Sequence, residues 1–370
     1  MHNIPLFKVF MSRNCDKAVA NVLKSGFIGQ GPKVDEFENL LSHYLETPYV
    51  NTMNSATSAL HLALHMIKEY SGKKRNQVLS VPLTCTATNT SIINNGLNIK
   101  WVDTNPEDCN IDLYDLEKKI DEKTLAVMIV HWGGYPVNME LLDAILDNAK
   151  SKFGFRPFVI EDCAHAFGST YQGRKLGYNN FAAYSFQAIK HLTTGDGGAL
   201  ICPNEYFHQK AKLLRWYGLD RTTKADFRCE QMIQEAGFKF HMNDIAAAIG
   251  IENFQEMDWV ITRHKENAKY IRENLKNVRL TESAHDRESA EWIFTIFVEN
   301  RDRFVKLMTD KGIAVSRVHD RNDKHPCFKK YSDYLPQTTQ VCETMICLPC
   351  GWWLEQEDLE YIVQIVNGGW

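Results

Sequence analysis

The chain has 370 residues, of which 44% are hydrophobic and 24% are charged, with a formal net charge of −4. That charge offers no attraction to nucleic acid or to an anionic membrane surface, so neither is expected as a partner. The sequence contains no apolar run of roughly 18 residues and no signal-peptide layout at its start, so a cytoplasmic protein is expected.

The predicted elements alternate between helix and strand from about residue 45 to residue 250. Apolar positions at helical spacing predict a helix over residues 55–67, and another is predicted over 138–151. Short apolar segments predict strands over residues 77–81, 97–103, 125–131 and 158–162. Such alternation is typical of an α/β fold with a mostly parallel sheet flanked by helices.

The pattern changes after a largely helical connection over about residues 243–277. Strands are predicted over residues 292–298 and 314–318, and helices over 301–311 and 355–366. We therefore expect two domains. Residues 1–250 form a large α/β domain with an N-terminal arm, and residues 251–370 form a small C-terminal α+β domain.

Ten cysteines are scattered along the chain, and Cys347 and Cys350 have the CxxC spacing of a metal or redox pair. A second pair is missing, and His325 is not at zinc-finger spacing from them. We therefore expect no metal site and interpret the cysteines as reduced thiols.

The most informative segment is residues 185–198, where Lys190 lies between hydroxyl residues and a glycine-rich turn that leads into an apolar strand. A lysine in a pocket can lose its proton and become a nucleophile. Hydroxyls and free backbone N–H groups nearby can bind a phosphate. An amine beside a phosphate cradle is what pyridoxal phosphate requires.

Two further segments are consistent with this cofactor. Asp162 closes an apolar strand, where it either caps the next helix or keeps a pyridine nitrogen protonated. Ser55, Ala56 and Thr57 begin an amphipathic helix whose N-terminus either is simply capped or receives a phosphate.

In this order, these motifs resemble the DegT/DnrJ/StrS family of sugar aminotransferases, which have the fold type I architecture of pyridoxal-phosphate enzymes. The resemblance covers nearly the whole chain. It is carried by residues 26–38, 54–60, 82–88, 161–165, 185–198, 237–245 and 346–349.

The resemblance implies roles for individual residues. Lys190 aligns with the lysine that bonds to the cofactor and moves the proton, and Asp162 aligns with the carboxylate under the pyridine nitrogen. His165 aligns with a residue near the phenolic oxygen or the ring face. The phosphate cradle aligns with Ser55, Ala56, Thr57 and Ser185, and Lys239 or His241 is expected to reach the phosphate of a partner subunit.

Some positions depart from the family pattern. Cys85 stands where an aromatic residue often stacks on the cofactor ring, so either a different ring packing is tolerated, or Trp132 or another group supplies the stack. Residues 318–325 also depart from the commoner pattern. Expected substrate contacts are Gln30, Trp132, Arg215 and Arg221, although surface ion pairing is an equal alternative for the two arginines.

The resemblance implies transfer of an amino group from L-glutamate to a nucleotide-linked keto-deoxysugar, with pyridoxamine phosphate as the intermediate form of the cofactor. The sugar is expected to be a 4-keto-6-deoxyhexose for amino-sugar and surface polysaccharide biosynthesis, and the protein a homodimer with shared active sites. Related dehydratases carry histidine at the position of Lys190, which favours transamination. A dehydratase and a non-catalytic regulator on the same fold remain alternatives.

Overall fold

A computed structural model describes residues 3–72, 74–222 and 230–370 of the chain. Its first strands, in chain order, are β1 (Val50–Met53), β2 (Gln77–Ser80), β3 (Asn98–Trp101), β4 (Thr124–Val130), β5 (Phe158–Asp162), β6 (Thr170–Tyr171), β7 (Arg174–Lys175), β8 (Phe181–Ser185) and β9 (Gly198–Ile201). Seven of these form one sheet in the order β1-β9-β8-β5-β4-β2-β3. Only β9 runs against its neighbours β1 and β8, which confirms the predicted mostly parallel sheet.

Helices cover both faces of this sheet. They are α1 (Cys15–Ser25), α2 (Pro32–Tyr44), α3 (Ala56–Ser71), α4 (Thr86–Asn94), α5 (Leu113–Lys119), α6 (Met139–Phe153), α7 (Glu205–Leu214) and α8 (Asp244–Phe254). Successive side chains of a strand point to opposite faces, and β8 shows the consequence. Phe181 and Ala183 pack in the core under α3, whereas Ala182 and Tyr184 pack in the core under α2 and α8.

The C-terminal part is smaller and antiparallel. It contains α9 (Met257–Asn274), β10 (Arg279–Leu280), β11 (Arg287–Glu288), β12 (Phe294–Phe297), α10 (Arg301–Asp310), α11 (Pro336–Thr344), β13 (Met345–Leu348) and α12 (Gln356–Asn367). The strands β10, β12 and β13 form a three-stranded sheet, and β11 pairs with β6. The predicted α+β character of this part is confirmed.

The predicted strand over residues 314–318 is wrong. Ser316 makes an isolated bridge to Cys347, and Val318 has a φ of 63°. This left-handed conformation is unusual for a β-branched residue and cannot continue an extended strand. The turn redirects the chain at Val318, next to His319.

Two segments join the large sheet to the C-terminal part. The first half of α9 packs Val260 and Ile261 into the large core, and its second half packs Ile271 into the small core. At the N-terminus, Ile4 pairs with Ile313 and belongs to the small core. The predicted boundary between two domains at residue 250 stays a prediction. The joining segments contribute to the hydrophobic core of the large sheet and to that of the C-terminal part.

No helix in the described ranges is long and apolar enough to cross a membrane.

Candidate active site

A cavity of about 370 Å³ lies at the carboxyl ends of the parallel strands β5 and β8. This is the position at which open α/β sheets collect ligands. We call it the Lys190 pocket. The predicted cofactor residues that line it are Ser55, Ala56, Thr57, Cys85, Asp162, His165, Ser185 and Lys190.

One end of the Lys190 pocket is the N-terminus of α3. The side chain of Ser55 accepts a hydrogen bond from the Ser58 N–H at 3.1 Å and so caps the helix. The N–H groups of Ala56 and Thr57 belong to the first helical turn, where no acceptor exists within the helix. Ser55 thus caps the helix, and this cap is compatible with the predicted phosphate contact of Ala56 and Thr57, which line the pocket.

Gly198 explains how this helix start comes so close to the sheet. A Cβ atom on Gly198 would lie 2.5 Å from the Ala56 nitrogen and 2.7 Å from the Tyr184 oxygen. A larger residue would push α3 away from β8 and β9. The glycine-rich turn after Lys190 thus lets the N-terminus of α3 lie against the sheet at this end of the pocket.

Asp162 lies at the end of β5 and is buried. Its Oδ2 accepts a hydrogen bond from the Thr88 hydroxyl at 2.6 Å, and its Oδ1 accepts one from the Ala164 N–H at 3.1 Å. Burial raises the pKa of Asp162, although these two donors and the charge of Lys190 oppose the rise. A cation placed next to this carboxylate would be strongly favoured.

Lys190 is held in the turn that follows β8, and its backbone N–H donates to Gln187 O at 2.9 Å. Burial lowers the pKa of its amine to about 7, although the charges of Asp162 and Cys85 oppose the fall. An amine with such a pKa exists in both protonation states near neutrality, so it can accept and donate a proton.

His165 is buried at the wall of the pocket. Its ring stacks on Trp292 with centroids 4.0 Å apart, and its Nε2 lies 3.4 Å from Nε2 of His319. Its Nδ1 has no hydrogen-bond partner among the described residues. Burial, with the charge of Lys190, lowers the pKa of His165 well below its usual value, so the ring is neutral.

Several pocket residues were missed by sequence reasoning. Phe7, Trp292 and His319 line the pocket, and Thr88 holds Asp162 from behind. Thr88 and His319 lie in segments that the sequence had already singled out. Phe7 and Trp292 carried no local signal, because they come from the N-terminal arm and from the segment before β12.

The expected substrate residues lie elsewhere. Gln30, Arg215 and Arg221 line a second cavity of about 420 Å³, which we call the Gln30 cleft. Arg221 donates to Gln30 O at 2.8 Å and lies over the Trp216 ring. The Oε1 of Gln30 is buried without a hydrogen-bond partner in the described part of the chain.

Arg215 already has partners within the protein. Its guanidinium is buried, forms an ion pair with Glu38 and donates to Thr52 O at 2.9 Å. Burial raises the pKa of Glu38, but Arg215 and the Thr52 hydrogen bonds outweigh it and keep the pKa below its usual value. Arg215 and Glu38 therefore contact each other directly within the fold.

Trp132 does not supply a ring stack in the Lys190 pocket. It is buried behind His165 with ring centroids 5.9 Å apart, and its indole N–H donates to Thr295 at 3.1 Å. Trp292 is the tryptophan that faces the pocket.

The loop of residues 237–244 runs beside the segment that leads into α3. Phe240 O accepts a hydrogen bond from the Asn54 N–H at 2.7 Å, and Asn54 donates to Lys239 O at 3.1 Å. Lys239 is exposed, whereas His241 packs on Trp216 with ring centroids 3.6 Å apart. Neither side chain lines the pocket of its own chain.

Cys347 and Cys350 are buried, and their thiols contact Thr295 at 3.6 Å and Glu291 O at 3.2 Å. A separate group, His131, Glu161 and Cys163, brings three potential metal ligands within 4.8 Å. His131 and Glu161 are 3.1 Å apart, and Glu161 also accepts from Gly177 and Asn180. This network supports the strand that carries Asp162.

Pyridoxal phosphate fits the residues present in the Lys190 pocket. A buried amine able to lose its proton faces one part of the cavity, a buried carboxylate with a raised pKa lies at its floor, and a helix N-terminus closes the far end. These are the three groups that the aldehyde, the ring nitrogen and the phosphate of this cofactor require.

Fold and site together define a pyridoxal-phosphate-dependent enzyme of the aminotransferase type. The chain belongs to the DegT/DnrJ/EryC1/StrS aminotransferase family, whose model matches residues 11–367. It is a pyridoxal-phosphate-dependent sugar aminotransferase, as the resemblance had implied.

Solved structures agree with this family. The chain is similar to AtS13 from Actinomadura melliaura, with a TM-score of 0.97, 42% identity and 100% of both chains covered. It is also similar to the sugar aminotransferase CalS13 from Micromonospora echinospora, with a TM-score of 0.94, 39% identity and coverage of 99% of this chain and 100% of that one. A curated relative, GDP-perosamine synthase from Escherichia coli O157:H7, is 29% identical over 99% of this chain and 98% of its own length.

Proposed function

We propose that the enzyme moves an amino group from L-glutamate to the keto group of a nucleotide-linked 4-keto-6-deoxyhexose, in the biosynthesis of amino sugars for surface polysaccharides. The observation that carries the proposal is the pair of Lys190 and Asp162 in one pocket with the N-terminus of α3. The name of the GDP-perosamine synthase relative supports a nucleotide-linked sugar.

Lys190 is the proton carrier in both halves of the reaction. Its Nζ accepts the α-proton of the amino donor and later gives a proton to the carbon that receives the amine. A pKa of about 7 makes the neutral base and the charged acid accessible at the same pH. Pyridoxal phosphate, when bound, supplies the electron sink for this chemistry.

Asp162 would hold the ring nitrogen of the cofactor in its protonated form. The hydrogen bonds from Thr88 and Ala164 fix the carboxylate in place, and its burial makes an unpaired negative charge costly. A protonated ring nitrogen would relieve that cost. His165 is neutral, so it can donate a hydrogen bond to the phenolic oxygen without adding charge.

Cys85 and Ser185 complete the cofactor contacts in this proposal. Cys85 faces the pocket at the turn before α4, where its thiol is small enough to leave the ring face open. The hydroxyl of Ser185 lies at the end of β8, the strand that leads to Lys190, and joins the helix N–H groups in binding the phosphate.

The pocket needs positive charge from outside. Its ligands carry phosphates and carboxylates, yet Lys190 is the only lysine or arginine among the described residues that line it. A second subunit that contributes a cation would satisfy this need, and a two-fold axis would satisfy both pockets at once. We therefore propose a homodimer with shared active sites. Exposed apolar side chains near the N-terminus, including Phe27 at 68% exposure, are consistent with such an interface.

Lys239 is the better choice for the residue that reaches the partner's phosphate. Burial lowers the pKa of His241 to about 4, and the nearby charges of Lys239, Arg221 and Arg215 contribute, so His241 carries no charge at neutral pH. Lys239 is exposed on the same loop. Lys239→Met should weaken phosphate binding more than His241→Gln does, measured as pyridoxal phosphate affinity by dialysis.

The function is tested with purified enzyme, pyridoxal phosphate, L-glutamate and a panel of nucleotide-linked keto-sugars. Product mass should show an amino sugar in place of the keto group, together with one 2-oxoglutarate per turnover. L-alanine and L-aspartate serve as donor controls. A deoxygenated sugar without nitrogen would identify a dehydratase, and failure to bind pyridoxal phosphate would support a regulator.

A further inference from the structure

Trp292 contacts the segment that carries Lys190 at several points. The Lys190 Nζ lies 3.5 Å from the centroid of the Trp292 ring. Its indole N–H donates to Ile189 O at 2.9 Å. The neighbouring His191 ring contacts Ala290 O at 2.9 Å, so the residues on each side of Lys190 are tied to the segment that ends at Trp292.

Trp292 is itself fixed from several directions. Its backbone N–H donates to Gly133 O at 2.8 Å, and its ring stacks on His165 and on Phe7 of the N-terminal arm. The preceding residue, Glu291, has a φ of 54°, a conformation that a non-glycine residue adopts only when its surroundings hold it there. The Glu291 carbonyl is held by His264 at 2.9 Å.

We propose that Trp292 is a positioning residue for Lys190, whose indole face binds the protonated amine and holds it in the pocket between its two proton transfers. The proposal rests on the assignment of Lys190 as the proton carrier in the proposed function. An ammonium over an indole face is stabilised by the ring's negative potential, and the effect grows where water is excluded. Trp292 is 2% exposed, so its ring face is shielded from bulk solvent and opens only towards the Lys190 pocket.

The indole and the rest of the pocket act on Lys190 in opposite directions. Burial favours the neutral amine, whereas the indole face favours the ammonium. The other titratable groups that face Lys190 are the carboxylate of Asp162, the thiol of Cys85 and the imidazoles of His165, His191 and His319. Asp162 and Cys85 also favour the ammonium, so Trp292 adds to the effect of these two groups.

Lys190 therefore keeps its proton within the pocket and can still donate it in the reaction. Without the indole, the same burial would release the proton at lower pH, and the amine would be free to rotate within the cavity. Two substitutions separate the contribution of the ring from that of the indole N–H. Trp292→Phe keeps an aromatic ring without the indole N–H, whereas Trp292→Leu removes the ring.

The test measures the reactivity of Lys190 in the full-length, cofactor-free protein. Wild type, Trp292→Phe and Trp292→Leu are methylated with formaldehyde and cyanoborohydride over a pH series, and the Lys190 peptide is quantified by mass spectrometry. The midpoint should fall by roughly one pH unit in Trp292→Leu. It should fall by less in Trp292→Phe, since tryptophan is the best ring for a cation.

Lys175 is the internal control in every sample. Burial also lowers its pKa, and its amine lies 4.1 Å from the Tyr44 ring centroid, away from Trp292. Its profile should not move in either variant. A merely structural role for Trp292 would lower the melting temperature and leave the Lys190 midpoint in place, and that result would overturn the proposal.

Two further arms keep the outcome decisive. If Trp292→Leu does not fold, Trp292→Phe carries the test, and a midpoint at or above the wild-type value would overturn the proposal. In parallel, wild-type protein is mixed with pyridoxal phosphate and reduced with borohydride. Absence of cofactor on the Lys190 peptide would count against the proposed function, while the methylation midpoints would still report on Trp292.

Discussion

The Lys190 pocket and the Gln30 cleft each contain a basic side chain and a carboxylate with one buried member, Asp162 in the first and Arg215 in the second, but the two pairs are in opposite states. In the Gln30 cleft, Arg215 and Glu38 form a direct ion pair, and the pKa of Glu38 is lowered. In the Lys190 pocket, Asp162 is hydrogen-bonded to Thr88 and Ala164, its pKa is raised, and that of Lys190 is lowered to about 7. The first pair is in direct contact, whereas the pKa values of both members of the second are shifted towards their neutral forms.

The comparison teaches that buried charge alone does not identify an active site. A buried pair with direct contacts and satisfied hydrogen bonds has no reason to react. When the pKa values of both members are shifted towards the neutral forms, the pair can bind a charged ligand or move a proton. Four substitutions test this difference, from the largest expected effect to the smallest.

Lys190→Ala should have the largest effect on activity. Removing the proton carrier should lower the rate of amino transfer by about 10²–10⁴-fold, measured as 2-oxoglutarate released from L-glutamate. The thermal stability should not fall, because a buried amine with a lowered pKa is not a stabilising group. Lys175→Ala is the matched control and should retain activity. Equal rates in the wild type and Lys190→Ala would refute the assigned site.

Arg215→Met should act on stability instead. Removing one member of a buried ion pair leaves the other charge unpaired and costs about 3–5 kcal/mol, measured by denaturant unfolding. The double variant Arg215→Met with Glu38→Gln should recover part of the loss, since the unpaired charge is gone. Lys212→Met, an exposed neighbour in the same cleft, should have little effect. A stable Arg215→Met enzyme with lost sugar binding would restore the substrate role.

Asp162→Asn should lower the rate by about 10- to 150-fold, since a hydrogen bond to a charged group is worth about 1.5–3 kcal/mol. The negative charge of Asp162 raises the pKa of Lys190, so its removal should lower that pKa further below 7. The amine should therefore become reactive at lower pH than in the wild type. The pH dependence of Lys190 methylation checks the direction, and an upward shift would contradict the arrangement.

Thr88→Val should have the smallest effect. The variant keeps the shape of the side chain and removes a hydrogen bond of about 1 kcal/mol, which corresponds to a loss of about fivefold in rate or cofactor affinity. The pKa of Asp162 should rise, because the Thr88 hydrogen bond lowers it. Thr86→Val on the exposed side of the same helix is the control. Identical effects of the two variants would show that helix packing, not Asp162, is responsible.

Much of the fold could be predicted because strand and helix patterns are local. The runs that became β2, β4 and β5 are apolar and short, and they alternate with helical periods. The prediction of a strand over residues 314–318 was wrong, because the apolar pattern does not reveal the left-handed turn at Val318. That turn brings Val318 and His319 to the wall of the Lys190 pocket and leaves no mark in the composition.

The sequence by itself determined the fold class, the family, and the positions of Lys190, Asp162 and the α3 N-terminus, because each lies in a motif whose geometry is set by its own neighbours. Only the tertiary structure decided which cations remain for a ligand. In the fold, Arg215 pairs with Glu38 and Trp132 lies behind His165. Trp292 contacts Lys190 although the two residues are 102 positions apart in the chain. Burial and charge pairing depend on what distant segments bring to the same place, and a local motif carries no record of them.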